Sequence, residues 1–392
     1  MKKIAVDSGP LVSGHKVRGI GVHTRELLLA LDEKTKIPRK ATKSQRGKLK
    51  GLKIEAVDFG KADLSKYDLL HFQYFHPFFL TIPPKVPTKY IVTIHDLIPL
   101  IYPKHYPPGI KGKIRFMVQK ARIKKAEAII TISKTSKKDI VRFLGVPQEK
   151  IYVTYLAPRK IFRKLEIGNW KLEIKRRYGL PGRFVLYVGD VNHNKNVLGL
   201  VNACKKAKIH LVICGKQAKD IRGAAFNLES LEGPQDWARY LFGKPHPEQA
   251  HYEKLLEEFE NTKTIIRLGY VPDEDLVQIY NLATVYCQPS FYEGFGLSVL
   301  EAFACGTPVV AAKTQALVEI VEGAPRRRGF AGQAALFADP NNPKEIAEKI
   351  SELIKNKSLR IKMVNEGQET VKKFTWKKTA ESTLEVYKEI LK

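Results

Sequence analysis

Seven residues separate Glu293 from Glu301 in the string Pro289-Ser-Phe-Tyr-Glu293-Gly-Phe-Gly296-Leu-Ser-Val-Leu-Glu301-Ala-Phe-Ala-Cys-Gly306-Thr-Pro-Val. The string reads as a strand ending near Pro289, a glycine-containing loop, and a helix that opens near Gly296–Leu297 and closes before Gly306. Gly294 and Gly296 let the backbone approach a ligand closely. The N–H groups at a helix start have no partner within the helix and favour a phosphate. Two carboxylates beside a phosphate would be repelled by it, so they fit only as acceptors of hydroxyl hydrogen bonds on either side of it. A nucleotide sugar offers such hydroxyls, the sugar's on one side and the ribose's on the other. An ordinary strand, loop and helix with two solvated glutamates would explain either carboxylate alone, but not the whole string.

Three further segments carry groups suited to the same ligand. Tyr187-Val-Gly189-Asp-Val-Asn-His-Asn194-Lys195-Asn196 follows a strand and opens a helix, which suits Lys195 to holding a diphosphate. Gly19-Ile-Gly21-Val-His23-Thr24 lies just before a helix and after the first strand; alone, such a G-x-G is a weak signal. His95 and Asp96, in Val92-Thr-Ile-His95-Asp96-Leu, stand at the carboxyl end of the fourth strand, although a single histidine is as readily structural. Asp273-Glu-Asp275 matches a D-x-D metal pattern, yet it follows Pro272 and begins a helix, where acidic side chains answer the helix dipole without a metal. No metal site is expected.

The Glu293–Glu301 string resembles the E-x7-E signature of family 4 retaining glycosyltransferases, and nearly the full chain fits that family's layout. The resemblance implies Glu293 on the donor-sugar hydroxyls and Glu301 on the ribose. It implies the amides of Gly294, Phe295, Gly296 and Leu297 on the sugar and diphosphate, with Lys195 and Asn194 completing the donor site. Asn194 and Asp190 occupy positions where family members commonly carry an arginine, so Lys195 is the only cation left in its motif. The resemblance also implies that the Gly19–Gly21 segment closes over donor phosphates and acceptor. It sets His95 near the reacting carbon, with Asp96 orienting His95 or the acceptor.

The reaction so implied moves a sugar, mannose or glucose, from a nucleotide diphosphate sugar to a glycan or lipid-linked acceptor with retention. The acceptor attacks on the face the leaving group departs from, and the leaving phosphate takes its proton. Retaining glycosidases use a carboxylate nucleophile; none is evident here, and neither metal nor cofactor is required. The alternative on the same fold is a sugar-nucleotide epimerase or hydrolase, separated by rates with and without acceptor.

These residues need strands and helices to place them. Lys3–Asp7, Ile54–Phe59, Leu69–Phe72, Tyr90–His95, Ala128–Ile132 and Ile151–Tyr155 read as strands, mostly continuous apolar runs of the kind buried on both faces of a parallel sheet. Gly21–Leu31 and Lys134–Leu144 read as helices between them. After a polar, basic stretch near Lys160–Gly182 the alternation restarts with Phe184–Gly189, Ile209–Cys214, Thr264–Leu268, Val285–Pro289, Pro308–Ala312 and Ala335–Ala338. The fold class is therefore α/β, with two doubly wound Rossmann-like domains. Residues 1–165 form an acceptor domain and 166–375 a nucleotide-sugar domain. The resemblance makes this the GT-B fold, the domains facing each other across a cleft and a helix over 376–392 crossing back to the first. Lys34–Lys53, basic and without an acidic residue, reads as a mobile loop, and Arg222–His251 as an insertion.

Charge separates the halves. Residues 1–165 hold 35 Lys and Arg against 12 Asp and Glu, whereas 166–392 hold 33 against 28. Such an excess suits an anionic partner: a membrane surface, a phosphorylated acceptor or nucleic acid, against the plainer reading of a solvated basic face. Within it, Lys111, Lys113, Arg115, Lys120, Arg122, Lys124 and Lys125 share a helical stretch with Ile114, Met117 and Val118, and Phe72–Phe79 is rich in aromatics. No recognition-helix, RNP or zinc pattern is present, so nucleic acid is not expected. Asp7 closely follows Lys2 and Lys3, no long apolar run follows, and none approaches a membrane span. The four cysteines, none in a Cys-x-x-Cys pair, read as buried free thiols in a reducing compartment. The expectation is a cytoplasmic enzyme, with peripheral attachment to the inner face of the cytoplasmic membrane left open.

Overall fold

A computed structural model describes residues 1–14, 19–35, 51–166, 168–221, 247–322 and 334–392. The basic loop and the insertion read from the sequence lie largely outside these residues. The chain forms two compact units: Met1–Ile101 with Ile110–Ala157 and Phe374–Lys392, and Tyr102–Gly109 with Pro158–Lys373.

The first unit is a six-stranded parallel sheet of β1 (Lys2–Asp7), β2 (Leu52–Val57), β3 (Leu69–Phe72), β4 (Lys89–Ile94), β5 (Ala128–Thr131) and β6 (Ile151–Val153), in the order β2-β1-β3-β4-β5-β6. Leu69, Leu70, Ile91, Val92 and Ile94 are fully buried, as strands covered on both faces require. The chain's last helix, Trp376–Ile390, belongs to this unit. Its Tyr387 hydroxyl lies 2.6 Å from His71 Nδ1, and its Thr379 hydroxyl donates to the Tyr155 carbonyl at 2.6 Å. The expected return of the C-terminal helix to the first domain is thus a set of specific hydrogen bonds. Burial holds His71 far below its usual range, at about 3, so this tie is made by a neutral ring.

The second unit repeats the plan with β7 (Phe184–Val188), β8 (His210–Cys214), β9 (Ile265–Gly269), β10 (Val285–Gln288), β11 (Val309–Ala312) and β12 (Ala335–Ala338), in the order β12-β11-β10-β7-β8-β9. The order reverses between β7 and β10, the switch point where doubly wound sheets bind ligands beyond the carboxyl ends of their strands. Lys195 follows β7 and Glu293 follows β10, so both lie at that switch point.

The units divide after Ala157, not after residue 165. Residues 158–165 join the second unit because Arg159 pairs with Asp273, while Asn281 accepts from the Leu165 amide and donates to the Arg163 carbonyl. Tyr102–Gly109 joins it as well, which the sequence did not announce. His105 stacks on His193 with ring centroids 3.3 Å apart, and the Tyr106 hydroxyl donates to Asn194 Oδ1 at 2.9 Å.

Candidate functional site

The helix Leu297–Cys305 opens on Gly296, whose φ of 110° is open to glycine and strained for other residues. Space demands glycine too: a Cβ there would stand 2.5 Å from Leu317 Cδ2. The helix thus begins at Gly296, three residues after Glu293.

Glu293 is only 7% exposed, and its carboxylate is held from three sides. Oε1 accepts from the Gln288 amide at 2.7 Å, the Ser290 hydroxyl at 2.7 Å and Lys195 Nζ at 2.9 Å. Oε2 accepts from Lys195 Nζ at 2.9 Å and from no other group among the described residues. The Tyr286 hydroxyl donates to Gln288 Oε1, which turns the Gln288 amide nitrogen toward Glu293. A buried carboxylate needs such donors to remain charged at modest cost. One of its oxygens nevertheless keeps acceptor capacity for a hydroxyl.

The sequence reading assigned Lys195 to a diphosphate; the structure pairs it with Glu293, joining two motifs that lie 98 residues apart. The Lys195 turn is locked to the Glu293 loop. Asn194 Nδ2 donates to the Tyr292 carbonyl, and the Phe291 amide donates to the Asn194 carbonyl. Asn196, in the left-handed region at φ 52°, donates to the carbonyls of Pro289 and Pro340. Asn194, read as a donor-binding residue, is buried, with its amide engaged by Tyr106 and Tyr292. In this structure it fixes the two loops to each other.

Glu301 lies one turn into the same helix, buried beside Tyr280, whose hydroxyl donates to Oε2 at 3.3 Å. Burial pushes its carboxyl up to about 7, against the opposing pull of the Arg159 charge. Arg159, Tyr280, Gln288 and Ser290 were not singled out from the sequence. The Gln288-Pro-Ser290 run directly before Glu293 was the available signal.

Asp273 and Asp275 are each engaged by an arginine. Arg159 grips Asp273 with both terminal nitrogens, and Arg177 Nη1 reaches both oxygens of Asp275 at 3.0 and 3.2 Å. The Tyr178 hydroxyl donates to Asp275 as well, at 2.6 Å.

The first unit carries a separate cluster. His95 directly follows β4, and its Nε2 lies 2.8 Å from Nδ1 of His23, one ring donating to the other. Gly19 and Gly21 do not form a loop ahead of the helix; they lie within the first turn of Gly19–Thr35, which sets His23 one turn in. His23 is buried against Trp376, and burial, then His95 and His71, hold it well below its usual range. His23 is therefore neutral at ordinary pH and shares one hydrogen bond with His95. Asp96 Oδ1 accepts from the Ile98 amide at 3.1 Å, capping the short helix Ile98–Ile101. His23 is the partner that the sequence quoted without giving it a role.

Known proteins share this plan. A model of the family described as glycosyl transferases group 1 matches residues 171–370, and one of Glycosyltransferase Family 4 matches 59–157. O-antigen chain mannosyltransferase B of Escherichia coli is 29% identical over 301 residues, covering 76% of this chain and 70% of that protein. Serotype-specific mannosyltransferase WbdA of Escherichia coli is 24% identical over 309 residues, 78% of this chain but 34% of that longer protein. Among solved structures, sucrose-phosphate synthase from Thermosynechococcus elongatus superposes with a TM-score of 0.66 at 20% identity, covering 100% of this chain and 99% of that one. Anabaena Alr3699/HepE in complex with UDP and glucose also gives 0.66, at 16% identity, covering 99% and 100%. At such identities these two speak for the fold alone.

Proposed function

This chain belongs to the glycosyl transferases group 1 family, and we propose that it is a retaining hexosyltransferase using a nucleotide diphosphate sugar. Mannose is the preferred donor sugar, since both Escherichia coli relatives are named mannosyltransferases. The acceptor is a growing glycan or a lipid-linked glycan, in polysaccharide or glycolipid biosynthesis.

The observation that supports this reading best is the Glu293 carboxylate, buried, fixed by Lys195, Gln288 and Ser290, and keeping acceptor capacity on Oε2. Glu293 takes hydroxyls of the donor sugar there, and Glu301 takes the ribose. The diphosphate lies at the start of the Leu297–Cys305 helix within reach of Lys195. As the bond from anomeric carbon to phosphate stretches, negative charge gathers on the leaving phosphate. Backbone amides and one ammonium, already oriented, stabilise it more than reorganising water would. His95 acts near the reacting carbon, and Asp96 orients it or the acceptor. The leaving phosphate takes the acceptor proton, so no metal and no protein nucleophile enter the reaction.

A thermal-shift panel of nucleotide diphosphate sugars, followed by incubation with acceptor and NMR of the new glycosidic bond, tests the proposal. A rise in melting temperature with one donor and a product that keeps the donor's anomeric configuration are expected. An inverted product would overturn the retaining assignment. Donor hydrolysis that no acceptor redirects would replace transfer by a hydrolase reading.

A further inference from the structure

The helix Gly109–Ile123 has two apolar stripes where an ordinary surface helix has one. Gly112, Gln119 and Ile123 are buried toward the unit. Across the helix, Ile110, Ile114 and Met117 follow one another at four- and three-residue steps, a single stripe at 3.6 residues per turn. They are 60%, 53% and 64% exposed, and Ala121 continues the stripe. The neighbouring loop is held to this helix by Gln119, whose amide donates to the Thr81 hydroxyl at 2.6 Å and the His76 carbonyl at 3.3 Å. That loop carries Phe79 and Leu80, 52% and 55% exposed. Five of the twelve large apolar side chains exposed among the described residues therefore sit on this helix and its attached loop. Scattered exposed apolar residues need no explanation, but a cluster does.

The charge around the stripe is of one sign. The helix contains no Asp or Glu, and Lys111 and Arg115 fall to one side of the stripe, Lys113 and Lys120 to the other. Lys124 and Lys125 follow at its end, and a neighbouring cleft is lined by Lys85, Arg122 and Lys125. An apolar centre between two rows of cations matches a helix lying in the headgroup layer of a bilayer, apolar side down and cations toward anionic headgroups. A nucleic acid would satisfy the cations but would leave the Ile110–Ile114–Met117 stripe in water.

We infer that the exposed face of Gly109–Ile123, with Phe79 and Leu80, docks this protein on an anionic membrane surface. No helix among the described residues is long and apolar enough to cross a membrane; the inferred docking uses the side chains of this one face.

Co-sedimentation of the full chain tests this, with vesicles of phosphatidylcholine alone or with phosphatidylglycerol, at low and high salt. Wild-type protein should bind the mixed vesicles and not the neutral ones. The variant K111Q/K113Q/K120Q/K124Q should bind them at least about a hundredfold more weakly, since each cation near such a surface contributes roughly fivefold. The variant I110S/I114S/M117S should lose at least about tenfold, and what binding is left should vanish in high salt, because these side chains supply the salt-resistant part. All the substituted side chains except Lys120 are exposed, and circular dichroism should show both variants folded. Negligible wild-type binding to mixed vesicles at low salt overturns the inference. So does wild-type-like binding by both folded variants, which would move the contact elsewhere. Equal competition by heparin, with the apolar variant unaffected, overturns it in favour of a soluble polyanion.

Discussion

Glu293 and Glu301 belong to one short string, yet their surroundings set them apart. Glu293 is surrounded by donors that suit a charged carboxylate. Replacing it by alanine removes the acceptor proposed for the sugar and the carboxylate that Lys195 meets at 2.9 Å. Glu293→Ala should lower kcat/KM by several powers of ten while the protein still folds, as read by steady-state kinetics beside a melting curve. Wild-type-like turnover by the folded variant would remove Glu293 from the site. Glu301 is governed by burial, which raises its carboxyl to about 7. In the ribose role proposed for it, the ionised form offers an acceptor on each oxygen where the protonated form gives one up to its own proton, so the free nucleotide diphosphate should bind more tightly as pH rises through about 7 and level off above it. Because the folded pKa is raised, keeping Glu301 ionised costs stability, and that cost grows from pH 4.5 toward 7 in the ligand-free protein. Calorimetric titration of Glu301→Gln should give weaker binding without this pH step. An unchanged dissociation constant would take Glu301 out of the ribose role.

Elements translate these residues into geometry. The Leu297–Cys305 helix starts where it does because Gly296 alone tolerates both φ 110° and the closeness of Leu317. Gly296→Ala should destabilise the protein by about 2–4 kcal/mol, backbone strain and overpacking together, seen as a lower denaturant midpoint. The Tyr102–Gly109 segment does comparable work on the other loop. Its His105 stacks on His193, beside Tyr102, His251 and Phe291, and Lys104 adds positive charge nearby. Burial, then His105 and His251, bring His193 down to about 4, and burial and Lys104 lower His105. The folded pKa lies below the unfolded one, so the stack's contribution is complete above about 6.5 and is lost as pH falls toward 4. Melting temperature should therefore drop over that window, and His193→Phe, which keeps a flat ring without a charge, should flatten the decline. Equal acid sensitivity in the variant would show that the stack does not govern it.

At the scale of the whole molecule, positive charge dominates. Net charge is +28, and the D-x-D pattern is engaged by Arg159 and Arg177. Transfer should therefore persist in EDTA, assayed after exhaustive chelation; complete loss restored by Mg²⁺ or Mn²⁺ would show a metal at work. The sequence by itself determined the two α/β units, because continuous β-branched runs separated by helical stretches have few other ways to bury themselves. It also singled out the Glu293 string, since glycines, a helix start and two carboxylates at that spacing share one local logic. Tertiary structure alone decided the rest. Lys195 and Glu293 lie 98 residues apart and meet only because β7 and β10 are neighbours in the sheet. His23 finds His95 across 72 residues, and Tyr102–Gly109 joins the second unit through a ring stack that no periodicity encodes. Long-range pairing depends on strand order and on which buried polar groups need partners, and a local pattern of residue types carries neither.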